Sequence, residues 1–387
     1  MTAPWVADLD PALPIGVLLD AWLGDPRGWP HPVRAIGGLI ARTERWLRAG
    51  LAAIGGGAWA ERGAGIVLAA VIVGVTGLAA WSALEGAAAL GWAMALLMRS
   101  LLIYWGLAAR SLAEETLRAS EAPDLESARR ELAGIVGRDT EHLDWPEIHR
   151  ACIETVGENT NDGVVAPLFW YAVGGPVGLW VYKAISTLDS MVGYRNARYR
   201  HLGWASARLD DLAGLVPARL TWLLLTLASG LRGERSWAAL RIGWRDGRKH
   251  PSPNSAWGEA TLAGALGVVL GGRATYGGVP SLKPRLGDLD APIGPATVRR
   301  ALALMRLAAL LAALLAWVAR AAVLGALVSA SAASLSPSGL DPFPQPLKTL
   351  GGTQGCFVFV GASHSTLTPA LSPGRGGRIP SPSPRGE

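Results

Sequence analysis

The sequence lacks the signatures of several common enzyme and metal-protein classes. Its two cysteines, Cys152 and Cys356, lie in unrelated contexts without metal-ligand spacing, so neither a disulfide nor a zinc site is indicated. GxxxxGK followed by Ser or Thr, a GxGxxG turn after a strand, HExxH and GxSxG are all missing. If the protein uses ATP, it therefore does so outside the common phosphate-loop architecture.

Charged residues are also scarce, at 17% of 387 residues, whereas 50% are hydrophobic and the mean hydropathy is +0.27. A helix that crosses a bilayer needs roughly 20 mostly apolar residues. Windows 65–84, 87–109, 212–231 and 301–328 approach that length, and windows 168–185 and 259–271 are ambiguous. We therefore predict an all-α, polytopic integral membrane protein with about 4–6 membrane helices joined by helical polar loops.

The arginines predict how the chain is oriented. The first two windows are joined by residues without Lys or Arg, whereas stretches 27–62 and 110–150 on either side are rich in arginine. This pattern predicts a helical hairpin with its tip outside the cytoplasm. Segment 195–208 is equally basic. If it is also cytoplasmic, window 168–185, which contains Gly-Gly-Pro-Val-Gly, has to be a broken or re-entrant element.

The net charge of +6 and the pI of about 9.7 are consistent with topology signals and with contacts to anionic membrane lipid. The arginines lack aromatic interleaving, so no nucleic-acid partner is predicted. Three arginines inside apolar windows, Arg99, Arg306 and Arg320, should face protein or reach the membrane surface. We expect a multi-pass protein of the cytoplasmic membrane, with a membrane domain at 1–328 and a disordered Ser/Pro/Gly-rich tail at 329–387.

Polar residues are concentrated between residues 150 and 219. On a helix, Arg150, Glu154 and Glu158 would form one stripe, which is either a solvated face with ion pairs or part of a reaction site. The sequence NTNDG follows and then an apolar run, which predicts that Asn159 and Asp162 lie near the membrane surface. Their oxygens suit a hard cation such as Mg²⁺.

Further along, Lys183, Asp189, Arg195 and Arg198 combine phosphate-binding cations with a carboxylate, although arginines after an apolar segment are also common topology signals. The paired acids of Arg208-Leu-Asp210-Asp211 either cap a helix or bind a metal. Two proline-fixed loops hold the remaining candidates. His31 lies in GDPRGWPHPVR and His250 in RKHPSPN, which ends at Asn254.

Several long, ordered motifs resemble the CobD/CbiB family of cobalamin biosynthesis over roughly residues 13–327. They are GDPRGWPHPVRAIG, ELAGIVGRDT, RACIETVGENTNDGVVAPLFW, YKAISTLDSMVGYRNARYRHLGWASARLDDLAGLVPARL and GRKHPSPNSAWGEATLAGALGV. The resemblance implies an integral-membrane enzyme that makes adenosylcobinamide phosphate. In that reaction, aminopropanol phosphate is joined as an amide to a propionate carboxyl of adenosylcobyric acid.

The resemblance also suggests roles for the polar residues. The acid would need activation, most simply by ATP as an acyl phosphate, with Mg²⁺ neutralising phosphoryl charge. Catalytic roles are predicted for Glu154, Glu158, Asp162, Asp189, His31 and His250; substrate or phosphate binding for Lys183, Arg195, Arg198, Arg208, Asn159 and Asn254; and metal ligation for Asp162, Asp210 and Asp211. Other membrane enzymes of the pathway are expected partners.

Two other functions fit the composition. A corrinoid transporter or membrane scaffold should concentrate ionisable residues within its spans, whereas the polar residues of this chain are predicted to lie between them, which favours an enzyme. A phosphate-lipid transferase would share acids and arginines near the bilayer, but the family motifs argue against it.

Overall fold

The computed structural model describes residues 9–26, 28, 30–289 and 291–335, with side chains up to residue 326. The helices are α1 (Ala12–Leu23), α2 (Pro32–Ala53), α3 (Ala58–Ala89), α4 (Trp92–Gly106), α5 (Ala109–Ser120), α6 (Leu125–Ala133), α7 (Trp145–Thr160), α8 (Ala166–Val192), α9 (Trp204–Ala213), α10 (Leu215–Leu231), α11 (Ser236–Asp246), α12 (Ala256–Leu266) and α13 (Pro295–Leu335). The strands are β1 (Leu270–Tyr276) and β2 (Val279–Leu286).

Long apolar helices dominate the described part of the chain, as predicted. Four are long and apolar enough to cross a membrane: Ala58–Ala89, Trp92–Ser120, Trp145–Val192 and Pro295–Ala326. The pair α9 and α10, bent by 43°, gives a fifth if it counts as one span. This number agrees with the predicted 4–6 spans, and such helices indicate a membrane protein. The predicted hairpin of the first two windows is formed by α3 and α4, which are joined at Leu90 and Gly91.

The segment from α7 to α8 is folded back on itself rather than straight. A π-helical turn, Asn161–Val165, connects the two helices, and the backbone leaves the helical region at Gly175 (φ 62°, ψ −157°), just before Pro176. The hydroxyl of Tyr182 donates to Asp162 Oδ1 over 3.3 Å. In a straight helix with about 1.5 Å rise per residue, these two residues would lie about 30 Å apart. The chain therefore reverses at Gly175, as the broken-element prediction required.

The tip of this re-entrant hairpin packs among charged residues. Arg320 of α13 donates to the carbonyl of Val173 over 3.2 Å, so it satisfies a carbonyl that the break in α8 exposes. Nearby, Arg99 of α4 pairs with Asp10 at 3.2 Å. Two of the three arginines predicted to face protein therefore do so.

An antiparallel β-hairpin is the main departure from a purely helical chain. Strand β1 pairs with β2 through a register shift between Leu270 and Gly272, and the strands turn at Gly277 and Gly278. The amides of these two turn glycines donate to the carboxylate of Asp139, over 2.9 and 2.8 Å. Window 259–271 is therefore divided between buried helix α12 and strand β1, and it is not a membrane span.

The last helix is longer than predicted. Helix α13 begins at Pro295 and continues to Leu335, beyond the expected domain boundary at residue 328. Most of the predicted tail, residues 336–387, lies outside the described residues.

Candidate active site

Helix α7 carries the first group of candidate residues. It begins with a capping box, in which the Asp144 side chain accepts from Glu147 N and the Glu147 side chain accepts from Asp144 N. Glu154 lies on its buried face, ion-paired with Arg138, and accepts from the backbone amide of Gly271 over 2.7 Å. Arg150 lies 3.8 Å from Glu154, as the predicted stripe required. These contacts make Glu154 a link between α7 and the β-hairpin.

Helices α7 and α12 cross where two glycines meet. A Cβ on Gly157 would lie 2.7 Å from the backbone nitrogen of Glu259, which is too close for any side chain. The facing residue on α12 is Gly258, so the two backbones are in contact. Each glycine is followed by an acid, Glu158 on α7 and Glu259 on α12. The charges of these two acids interact.

The re-entrant hairpin contributes a carboxylate from each arm. Asp162 precedes the reversal and Asp189 follows it, and both interact with the charge of Asp210 on α9. Glu158 and Asp211 interact with Asp189 as well. All five carboxylates are half-buried. We call Glu158, Asp162, Asp189, Asp210 and Asp211 the acidic cluster.

On one side of the acidic cluster lies Lys183, whose charge interacts with those of Asp162 and Asp25. Lys183 lines a cavity of about 350 Å³ together with Asp25, His31 and Tyr104. His31 Nε2 lies 3.5 Å from Asp25 Oδ1, while His31 Nδ1 accepts from the backbone of Val33 at the start of α2. The His31 loop therefore lies beside Lys183 in this cavity.

A smaller cavity of about 260 Å³ adjoins the first, because both are lined by Asp25, Ala108 and Glu115. Asn159 lines this second cavity, and its side-chain amide donates to the carbonyl of Thr155 over 3.0 Å. The two cavities form one polar space between the loop after α1, the junction of α4 and α5, and helix α7.

On the other side of the acidic cluster lies Lys283 of strand β2. Its charge interacts with those of Glu259, Glu154 and Glu158. The charge of Lys283 also interacts with His250, so the loop that contains His250 lies near this lysine. The acidic cluster thus lies between two lysines from distant parts of the chain.

Electrostatics at the rim of the site follow from these contacts. Burial would raise the pKa of Asp25, but hydrogen bonds with His31 and Ser111 outweigh burial and lower the pKa below its ordinary value. Burial, together with the charge of Glu158, raises the pKa of Glu259 well above its ordinary value. Burial also lowers the pKa of His250. Glu259 therefore favours its protonated form, whereas His250 favours its neutral form.

Two predicted site residues make contacts that connect parts of the fold. Arg198 is exposed and pairs with Glu44 of α2 at 3.0 Å. This ion pair connects the loop after α8 to α2. Asn254 donates to the carbonyl of Asp211 over 2.9 Å and accepts from Arg219 over 3.0 Å. These bonds tie the end of α9 to the loop before α12.

Two further predicted arginines are exposed at the edge of the site. Arg208 lies 3.2 Å from Asp211, one residue of the acidic cluster. Arg195 interacts with the charge of His250. Both are therefore exposed side chains close to residues of the site.

Several groups at the site were missing from the predicted set, namely Asp25, Arg138, Glu259 and Lys283. The rarity of lysine in the sequence is a signal that could have drawn attention to Lys283, as well as to Lys183. The sequence contains 36 Lys and Arg residues but only four lysines, Lys183, Lys249, Lys283 and Lys348, and two of these four flank the acidic cluster. The sequence analysis predicted that the polar residues lie between the membrane spans, and the structure corrects this prediction. The acidic cluster and Lys183 lie on helices of the candidate spans.

Comparison with known proteins identifies the group to which the chain belongs. Residues 13–305 match the family model described as CobD/Cbib protein. The chain belongs to the CobD/CbiB family. It is 51% identical over 290 residues to the cobalamin biosynthesis protein CobD of Geobacter metallireducens, covering 73% of this chain and 89% of that protein.

A second relative, the cobalamin biosynthesis protein CbiB of Salmonella typhi, is 46% identical over 318 residues, covering 80% of this chain and 97% of that protein. No solved structure matches the chain. Membership of the CobD/CbiB family supports a biosynthetic role for this chain in the cobalamin pathway.

Proposed function

We propose that this CobD/CbiB protein makes adenosylcobinamide phosphate by linking the amine of aminopropanol phosphate to a propionate carboxyl of adenosylcobyric acid. The observation that supports this proposal most strongly is the acidic cluster, to which both arms of the re-entrant hairpin contribute, placed between Lys183 and Lys283. Such a site offers carboxylates for an ammonium and lysines for phosphate or carboxylate groups.

A carboxylate and an ammonium do not condense in water, so the acid has to be activated. In the proposed scheme, an oxygen of the corrinoid carboxylate attacks the γ-phosphorus of ATP, and ADP leaves. The amine nitrogen, after losing a proton, then attacks the acyl carbon, and phosphate leaves with the electron pair of the C–O bond. One amide, one ADP and one phosphate result.

The residues divide between these two steps. Lys183, in the cavity with His31 and Asp25, would hold phosphoryl or carboxylate oxygens as a point charge. Lys283 would do the same from the opposite side. Glu158 and Asp162, which are half-buried carboxylates of the acidic cluster, would accept the proton of the ammonium. A cavity of about 350 Å³ admits a side arm of the corrinoid rather than the ring.

The donor set suits Mg²⁺, although it is not a complete cage. Among the described residues, no group of three His, Cys, Asp or Glu side chains is arranged to hold a metal ion. Mg²⁺ commonly binds through one or two carboxylates together with substrate phosphates and water. Asp162, Asp189, Asp210 and Asp211 offer such oxygens, and bound Mg²⁺ would supply neutralisation of phosphoryl charge.

The arrangement also suits a site on the cytoplasmic face of the cytoplasmic membrane. Both arms of the re-entrant hairpin open toward the basic segment 195–208, and Arg48 of α2 donates to Arg198 O over 2.8 Å at the same end. By the positive-inside rule this end faces the cytoplasm, where ATP is available. Other membrane enzymes of the pathway would receive the product there.

The test is product formation by membranes that contain the protein, incubated with adenosylcobyric acid, aminopropanol phosphate, Mg²⁺ and ATP, with each component omitted in turn. Adenosylcobinamide phosphate should form only when all four are present. Product without ATP would contradict the acyl-phosphate scheme, and no product in any combination would contradict amide synthesis.

One observation favours a second candidate, a corrinoid transporter. The acids and Lys183 lie on helices of candidate spans, where transporters place the groups that line a pathway. Proteoliposomes loaded with labelled adenosylcobyric acid distinguish the two functions. Transport predicts release of unmodified corrinoid, whereas the proposed enzyme predicts conversion without release.

A further inference from the structure

A separate cavity of about 570 Å³ lies on the other side of the junction between α4 and α5. Helices α1, α5 and α13 form its walls, and the start of the re-entrant hairpin forms its floor. Ala109 and Arg110 line it, whereas Ala108 and Ser111 line the polar cavity of the candidate active site. The two cavities are therefore separate and lie on opposite sides of this junction.

Two polar groups that line this cavity keep unused binding capacity among the described residues, although the carboxyl of Asp20 also interacts with the backbone of Ala109 and Arg110. Asp20 of α1 is only 3% exposed, and its Oδ1 atom accepts no hydrogen bond. Arg306 of α13 is exposed and makes no ion pair with a described residue. Arg110, which also lines the cavity, pairs with Glu114 at 2.6 Å and interacts with the charge of Asp20. One acceptor and one cation thus remain available in the same space.

The remaining walls are apolar and open toward the membrane. Val17 and Leu168 line the interior, and the rims are formed by Leu18 and Leu310, which are 68% and 52% exposed. Since α13 is a candidate span, exposed leucines on this face are placed where they would contact acyl chains. A ligand of this cavity would therefore combine a polar head with an apolar tail.

The position of Arg306 along α13 can be stated relative to two other arginines of this helix. Arg320, at the tip of the re-entrant hairpin, lies fourteen residues further along α13, which corresponds to about 21 Å of helix. Near the start of α13, Arg299 pairs with Glu121 at 2.7 Å at the opposite end. Arg306 thus lies nearer to Arg299 than to Arg320 along α13, on the side of the basic residues at the start of this helix.

We propose that this cavity binds a phospholipid whose headgroup is an aminoethyl phosphate, with the phosphate on Arg306, the ammonium on Asp20 and an acyl chain along Leu168 and Leu310. A primary ammonium has N–H donors for the orphan oxygen of Asp20. A choline headgroup has none, and a glycerol headgroup has no positive charge. The cavity therefore distinguishes phosphatidylethanolamine from both. This inference goes beyond the proposed reaction and does not depend on it.

The experiment measures lipid retention by the full-length protein, purified in detergent and analysed by native mass spectrometry. The probes are equal amounts of phosphatidylethanolamine, phosphatidylglycerol and phosphatidylcholine with identical acyl chains. The phosphatidylethanolamine adduct should dominate for the wild-type protein. Arg306→Gln should weaken retention of that lipid by about fivefold, since one arginine near phosphate contributes on the order of 1 kcal/mol. Asp20→Asn should reduce phosphatidylethanolamine retention to the level of phosphatidylcholine.

Two further variants separate binding from folding. Arg45→Gln removes the same charge from an exposed arginine of α2 that donates to the carbonyl of Ala41, and it should leave retention unchanged. Leu310→Trp keeps both polar groups but fills the apolar groove, so it should lower the phosphatidylethanolamine adduct.

Three outcomes would overturn the proposal. Equal retention of the three lipids by the wild-type protein is the first, and unchanged retention by Arg306→Gln is the second. The third uses soluble phosphoethanolamine without lipid, which should give no adduct. If it binds, and both Arg306→Gln and Asp20→Asn abolish that binding, the cavity holds a free amino alcohol phosphate instead of a lipid.

Discussion

The reversal of α8 at Gly175 should be sensitive to the smallest possible substitution. With φ 62° and ψ −157°, Gly175 occupies a backbone region that only glycine enters readily. Gly175→Ala would therefore either strain the reversal or prevent it. Because the two arms bring Asp162 and Asp189 together, loss of the reversal would separate the acidic cluster.

The expected magnitude follows from this geometry. A residue with a side chain in such a region costs about 1–3 kcal/mol. An added Cβ would also lie 3.1 Å from Nη2 of Arg320, but the far end of that long side chain can move. The backbone term therefore dominates. It corresponds to a change of about 5-fold to 150-fold in the equilibrium between the reversed and unreversed hairpin.

The assay is reversible unfolding in mixed micelles, monitored by tryptophan fluorescence. Trp170 and Trp180 flank the reversal and pack on different neighbours, since their indole nitrogens donate to Ala213 O and Leu102 O. The matched control is Gly174→Ala, because Gly174 is helical and an added Cβ there meets nothing within 4 Å. The control should be neutral or more stable by up to about 1 kcal/mol.

A clear result would refute the reasoning. If Gly175→Ala unfolds at the same denaturant concentration as Gly174→Ala, with an unchanged fluorescence spectrum, the reversal does not depend on the glycine backbone. The fold-back of α8 at this residue would then be wrong.

Three other predictions concern the support of the site. Arg320→Met should destabilise the protein by about 0.5–1.5 kcal/mol in the same unfolding assay, because it removes the hydrogen bond to the carbonyl of Val173. Burial and neighbouring carboxylates raise the pKa of Glu259, so its contribution to stability should be complete below about pH 4 and decrease as the pH rises through the raised pKa. Glu259→Gln should flatten this dependence in unfolding measured across pH, and an unchanged slope would contradict it. Gly157→Ala should lower both the free energy of unfolding and the rate of amide synthesis, because the added Cβ would lie too close to the backbone of Glu259. The control is Gly163→Ala, which should have a smaller effect on both quantities, because its Cβ would make an ordinary contact at 3.6 Å.

The membrane architecture and the reversal were predictable because local chemistry specifies them. The length of the apolar windows predicts the spans. The arginines on both sides of the short Gly-Gly-Pro-Val-Gly break require the chain to return to the same side of the membrane. The capping box at Asp144 and Glu147 fixes the start of α7 in the same local way.

The rest depends on contacts between distant segments. Lys283 lies on a strand more than a hundred residues from Glu158, and nothing near it in the sequence indicates that the β-hairpin folds over the acids. The strands were missed because Gly271 and Gly272, at positive φ, interrupt the alternation that marks a strand. Likewise, the pairing of Arg198 with Glu44 follows from packing between α2 and a distant loop.

The central claim is that both arms of the re-entrant hairpin supply one reaction site, and the rate of adenosylcobinamide phosphate synthesis by Asp162→Asn and by Asp189→Asn tests it most directly. Each variant should lose at least about 100-fold in rate while remaining folded. The control, Glu126→Gln, removes an exposed acid whose one ion pair within the described part of the chain is with its helix neighbour Arg130, and it should retain the wild-type rate. If either aspartate variant keeps the wild-type rate, a site shared by the two arms is contradicted.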